Sequence, residues 1–153
     1  MELISIGDVS AEVERLRAIC GDNHKPYIRP VGLGAKIPKA HNEKPTTYSP
    51  DAIRNSDFKI SGCGKYVEVS NQGLSYATKM GKIKSIISLK QKFFKEIDIY
   101  SLEPHKIPNS LVIVNDRPGH ASLKVRDRML IVDLVKALEI VAKSSNYCGR
   151  LKL

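Results

Sequence analysis

At 153 residues, 42% hydrophobic and 27% charged, the chain has the composition of a soluble globular protein and the length for one domain burying about two-thirds of its unfolded surface. No apolar run approaches the roughly 18 residues of a membrane-spanning helix, and Met1-Glu2-Leu3-Ile4-Ser5 lacks the basic n-region and apolar core of a signal peptide, so synthesis in the cytoplasm without a leader is expected. The balance of 25 basic against 16 acidic residues leaves a formal charge of +9, which favours a polyanion, an anionic surface or an acidic protein as partner.

Asp8 or Ser10 can cap a helix running to about Cys20, with Glu12 and Glu14 in the first turn and Val13, Leu16 and Ile19 as its apolar stripe. Pro26 to Val31 reads as extended chain, because proline restricts the residues before it. From Gly32 to Pro50 the chain is rich in Gly, Pro, Lys, Asn and Thr, a long irregular stretch. Two short strands follow between Phe58 and Ser70, broken at Ser61-Gly62-Cys63-Gly64, then a turn at Asn71 to Leu74 and a strand over Ser75 to Thr78. Lys79 to Phe94 has helical periodicity, with six lysines up to Lys95 and no acid.

Ile97 to Leu102 is another strand, and Leu111 to Val114 is an unbroken apolar run that suits a strand buried on both faces. Arg117-Pro118-Gly119-His120 fits a type II turn, proline presetting φ and glycine supplying the positive φ. Beyond it, period-two alternation puts His120, Ser122 and Lys124 on one face and Ala121, Leu123 and Val125 on the other. A helix beginning near Met129 carries Ile131, Leu134, Leu138 and Val141 at helical spacing, and the basic tail from Asn146 is expected to fray. The order of elements is not a strict βαβ alternation. It predicts one α+β domain over residues 1–153, mostly antiparallel twisted sheets with flanking helices.

Candidate chemistry is sparse. Cys20, Cys63 and Cys148 are odd in number and never spaced C-x-x-C, so reduced thiols are expected. The four histidines lack H-x-x-x-H and H-E-x-x-H spacing, and no metal is expected. Gly32-Leu33-Gly34 lacks the third glycine of a dinucleotide fingerprint, and no phosphate-binding loop or nucleophile elbow occurs. Arg29 is a candidate anion ligand, since an arginine on a strand can grip a phosphate bidentately. His120 and Ser122 share a polar strand face. The lysine-rich helix could follow a phosphate backbone, an anionic membrane or an acidic partner.

The run Ile107-Pro108-x-x-Leu111-Val112-Ile113-Val114-x-Asp116, then His120-x-Ser122-Leu123, Met129, Leu134 and Leu138, resembles the C-terminal half of the Tse toxins of type VI secretion, which have an ADP-ribosyltransferase-like fold. Upstream, Asn71-Gln72-Gly73-Leu74-Ser75-Tyr76 is similar to the family's D-G-L-Y turn, and Tyr27-Ile28-Arg29 to its Y-R strand with one residue intervening. The likeness spans roughly residues 60 to 142. Ala121 replaces the aromatic that follows the family histidine, and no glutamate stands where such enzymes keep their catalytic acid; Glu68 and Glu103 are nearest in sequence.

The resemblance implies a toxin that uses NAD as substrate, without a metal, to modify a protein or RNA in the cytoplasm of a target cell, delivered there by a specialised secretion system. It implies Arg29 on the pyrophosphate and Gly73-Leu74 beside the cofactor. Ser75, Tyr76, Thr78 and Ser122 would position the nicotinamide ribose and amide, and His120 would orient a ribose hydroxyl or the phosphates, with His120 and Arg29 as the catalytic pair. An acidic immunity protein is the expected antidote. Two other classes stay open: a basic ribonuclease-like or ribosome-binding toxin with His120 as general base, and a non-enzymatic adaptor that docks an acidic partner.

Overall fold

The computed structural model describes residues 3–5, 27–33, 47–79 and 96–152. Their strands form two sheets: β1 (Leu3–Ser5), β2 (Tyr27–Leu33), β5 (Leu74–Ala77), β6 (Glu96–Leu102), β7 (Leu111–Arg117), β8 (His120–Val125) and β10 (Asn146–Lys152) in one, β3 (Lys59–Ile60), β4 (Tyr66–Glu68) and β9 (Met129–Leu130) in the other. The large sheet runs β1-β10-β6-β2-β5-β8-β7; every pair is antiparallel except β1 with β10. One α-helix, α1 (Ile131–Ser144), is present among the described residues, and the fold is α+β with mostly antiparallel sheets, as expected.

Register decides what each face carries. Ile28 stands opposite Ala77, and Ala77 opposite His120; Ser75 stands opposite Ser122, and Ser122 opposite Val114. Residues opposite one another share a face, and alternation sends their neighbours to the other side. The second face therefore presents Tyr27 and Arg29, Leu74 and Tyr76, and Ala121 and Leu123. Leu74, Tyr76, Ala121 and Leu123 join Phe58 and Val67 and the α1 residues Leu134, Leu138 and Val141 in one apolar core.

Helix α1 forms on this stripe: Ile131, Leu134, Val135, Leu138, Val141 and Ala142 are buried, while Val132 and Ile140 are exposed. Leu130 offers no side-chain cap, but the carbonyl of Lys65 takes the Ile131 N–H at 2.9 Å. Asp133 and Lys143 lie where the helix dipole favours each sign. On β6, buried Asp98 accepts from Arg150 at 2.9 and 3.2 Å and from the Tyr147 hydroxyl at 3.0 Å, so the charge is paired and β10 is tied to β6.

Several expectations are corrected. The final helix begins at Ile131, because Met129 and Leu130 pair with Val67 and Tyr66 as a strand first. Strand β7 lies at the sheet edge, and only Leu111 of its apolar run is buried, with Val114 exposed. The C-terminal tail is an internal strand, not a frayed end. Cys148 is disulfide-bonded and Cys63 is free and exposed, which corrects the expectation of three reduced thiols; sequence spacing alone does not reveal which cysteines meet in the fold. The helices expected near 8–20 and 79–94 fall outside the described residues, apart from Lys79.

Candidate functional site

The β7–β8 hairpin turns at Pro118-Gly119, where Gly119 has φ 76°, the left-handed conformation that the expected type II turn requires. One extra residue in β7 between Val114 and Arg117 makes a bulge, which re-aims the strand just before the turn. Asp116 lies in it. Its Oδ1 is 2.6 Å from Nδ1 of His120, and its Oδ2 accepts the Ser122 hydroxyl at 2.7 Å. One carboxylate thus bridges two of the three polar residues on this β8 face, His120 and Ser122. His120 is 13% exposed at its side chain and Asp116 28%.

Electrostatics follow from these contacts. The hydrogen bond from His120, with that from Ser122, lowers the Asp116 pKa to about 2. An ionised carboxylate only accepts, so Nδ1 carries the proton in the neutral ring, and among the described residues Nε2 has no partner. The Ser122 hydroxyl hydrogen is committed to Asp116. Because the folded pKa lies below the unfolded value of about 3.9, the stabilisation from Asp116 is fully present above pH ~4 and lost as pH falls toward 2. Urea midpoints measured from pH 5 to 2 should therefore fall more steeply for the wild type than for Asp116→Asn. Parallel slopes would exclude this account.

The opposite face carries a second constellation. Arg29 Nη1 donates to the carbonyl of Ser75 at 2.9 Å, and its guanidinium carbon is 5.9 Å from the Tyr76 ring centroid. Tyr27 meets Tyr76 edge to face at 6.4 Å. Burial pushes the Tyr48 and Tyr76 hydroxyl pKa values up while Arg29 opposes the shift. Burial also raises the Asp57 carboxyl pKa, against the pull of Arg29 and Arg54.

At the end of the strands lies a pocket of about 330 Å³ lined by Tyr27, Thr78, Lys79 and Asn115. Thr78 N–H donates to Gly119 at 3.0 Å, and Asn115 precedes Asp116, so one wall of the pocket is a single residue from the His120 cluster on both strands.

Of the residues singled out from sequence, Arg29 and Tyr76 come together on one face and His120 and Ser122 on the other, while Thr78 lines the pocket with Tyr27. Ser75 is exposed on the His120 face and touches Arg29 through its carbonyl. Leu74 is a core side chain, 2% exposed. Gly73 lies against the backbone of Leu123. Among the described residues no three His, Cys, Asp or Glu side chains are grouped as metal ligands.

The sequence reading assigned no role to Asp116, Tyr48, Asp57, Asn115 or, as a pocket residue, Lys79. Hairpin arithmetic across Pro118-Gly119 could have paired Asp116 with His120. Tyr48 and Asp57 come from irregular chain and carry no such signal. Comparison with protein-family models, curated proteins and solved structures finds no match for this chain.

Proposed function

We propose that this chain is an ADP-ribosyltransferase-like toxin that uses NAD as substrate and transfers ADP-ribose to a macromolecule in the cytoplasm of a target cell. The observation that carries the reading is the pocket at the strand ends lined by Tyr27, Thr78, Lys79 and Asn115, whose Tyr27 ring meets Tyr76, the ring that Arg29 approaches. A dinucleotide presents flat rings and a pyrophosphate, which the partly exposed Tyr27 ring and the planar guanidinium of Arg29 suit, while Tyr76, buried in the core, backs them from behind. At about 330 Å³ the pocket is at the small end of ligand sites and suits one nucleotide half, with the pyrophosphate toward Arg29. Lys79, Asn115 and Thr78 offer a cation and hydrogen-bonding groups to it. The site's work is positioning and electrostatics: the glycosidic bond to nicotinamide breaks, its electron pair leaves with the base, and the positive charge develops on the ribose carbon.

With NAD and target-cell extract present, the wild type is expected to release nicotinamide and leave labelled ADP-ribose on a macromolecule. Arg29→Ala should lower that rate by about 10²-fold with an unchanged far-UV circular dichroism spectrum. No release by the folded wild type would end this reading. The charge of +9 supports an acidic immunity protein as the neutralising partner. A second reading, a basic ribonuclease-like toxin, is favoured by the Asp116-anchored His120; RNA shortened without NAD would select it.

A further inference from the structure

The His120 cluster asks for a different role from the one the sequence suggested. A residue that only orients a ribose hydroxyl needs a hydrogen-bonding atom, not a fixed tautomer. Here Nδ1 is locked to Asp116 at 2.6 Å, and Asp116 is itself held from the other oxygen by Ser122 at 2.7 Å. Ser122, 4% exposed, fixes the carboxylate from its buried side, while Asp116 keeps 28% and His120 13% of the side chain open to solvent. The β7 bulge gives Asp116 the approach. An imidazole anchored at one nitrogen by a carboxylate and open at the other is set up to accept a proton and to bear the charge that follows.

We propose that Asp116 is the positioning residue that makes His120 Nε2 the proton acceptor for the target's nucleophile, and that the modified group is therefore a hydroxyl. This rests on the NAD-transfer reading above. Carboxylates attack as anions and need no base, and a thiol, with a pKa of about 8.5, supplies a fraction of its own anion at neutral pH. Ammonium and guanidinium acceptors would bring further positive charge to a chain already at +9. A hydroxyl is neutral and must lose a proton as it attacks. In the step, the target oxygen forms a bond to the ribose carbon, nicotinamide departs with the electrons of the broken C–N bond, and the hydroxyl proton passes to Nε2. The imidazolium so formed faces the Asp116 carboxylate until water takes the proton.

Two measurements test this on the full chain. Long-range ¹H–¹⁵N correlation spectra should show His120 with a protonated Nδ1 and an unprotonated Nε2, and Asp116→Asn should lose that tautomer preference. With labelled NAD and cell extract, Asp116→Asn should slow transfer by about 10²-fold or more with KM for NAD unchanged. The product linkage should resist both neutral hydroxylamine and mercuric ion. A proton on Nε2 in the wild type, or label released by hydroxylamine or mercuric ion, overturns the inference while NAD transfer stands. Absence of any NAD turnover overturns the transfer reading, and the hydroxyl acceptor falls with it.

Discussion

Replacing Phe58 by alanine is expected to lower the unfolding free energy by about 3–5 kcal/mol, a large share of the roughly 5–15 kcal/mol that holds a domain folded. Phe58 is 1% exposed and heads the largest fully buried side chains. Its backbone closes a turn, its N–H donating to Arg54 at 2.9 Å, and β3 begins at the next residue. The ring shares the core with Val67 of the small sheet, Leu123 of the large one and Leu134 of α1, so its loss opens a cavity where three elements meet. The cost is the lost burial plus the void that rigid neighbours cannot close. Urea unfolding followed by far-UV circular dichroism measures it, the chain having no tryptophan. Val132→Ala, at a helix position 52% exposed, should stay within about 0.5 kcal/mol. A loss below about 1.5 kcal/mol for Phe58→Ala would mean that the small sheet unfolds separately from the large one.

The parts of the fold legible in the sequence are those with clean periodicity. The alternation from His120 to Val125 gave its strand, its two faces and its turn, and the spacing of Ile131, Leu134, Leu138 and Val141 gave the buried stripe of α1. Edge position was not legible. Leu111 to Val114 is as apolar as a central strand, and only the order of strands shows that nothing among the described residues pairs with its outer side. Nor was the place of the C-terminal tail: Asn146 to Lys152 is short and basic, yet its pairing with β6 is fixed by a distant partner, Asp98 with Arg150. The candidate site was half legible for the same reason. Residues within one hairpin or strand could be assigned to faces, and His120 with Ser122 followed. Whether Arg29 shares a face with His120 depends on two successive registers, β2 on β5 and β5 on β8, which no local pattern encodes. Those registers put the two on opposite faces, and neither lines the pocket at the strand ends.

Gly73 offers the second large effect, and it separates a structural role from a ligand-binding one. The resemblance to a D-G-L-Y turn implies that Gly73 borders the cofactor. In the fold, a Cβ at this position would lie 2.4 Å from the Leu123 carbonyl oxygen and 2.8 Å from its carbon. Both are backbone atoms of strand β8, held between β5 and β7 and paired with β5 through Leu74 opposite Leu123, so neither can swing aside as a side chain would. Gly73→Ala must therefore push β5 and β8 apart where their pairing begins, at an expected cost of about 3 kcal/mol, the upper range of overpacking. Gly64, by contrast, has φ 74° but nothing within 4 Å of its Cβ position, so Gly64→Ala carries only the left-handed backbone penalty of about 1–2 kcal/mol. Urea midpoints should thus rank wild type above Gly64→Ala above Gly73→Ala. A Gly73→Ala protein as stable as the wild type but unable to release nicotinamide would return Gly73 to the cofactor. The expected order instead makes it the residue that lets β5 lie against β8, and so sets Ser75 and Tyr76 on the two faces from which the candidate site is built.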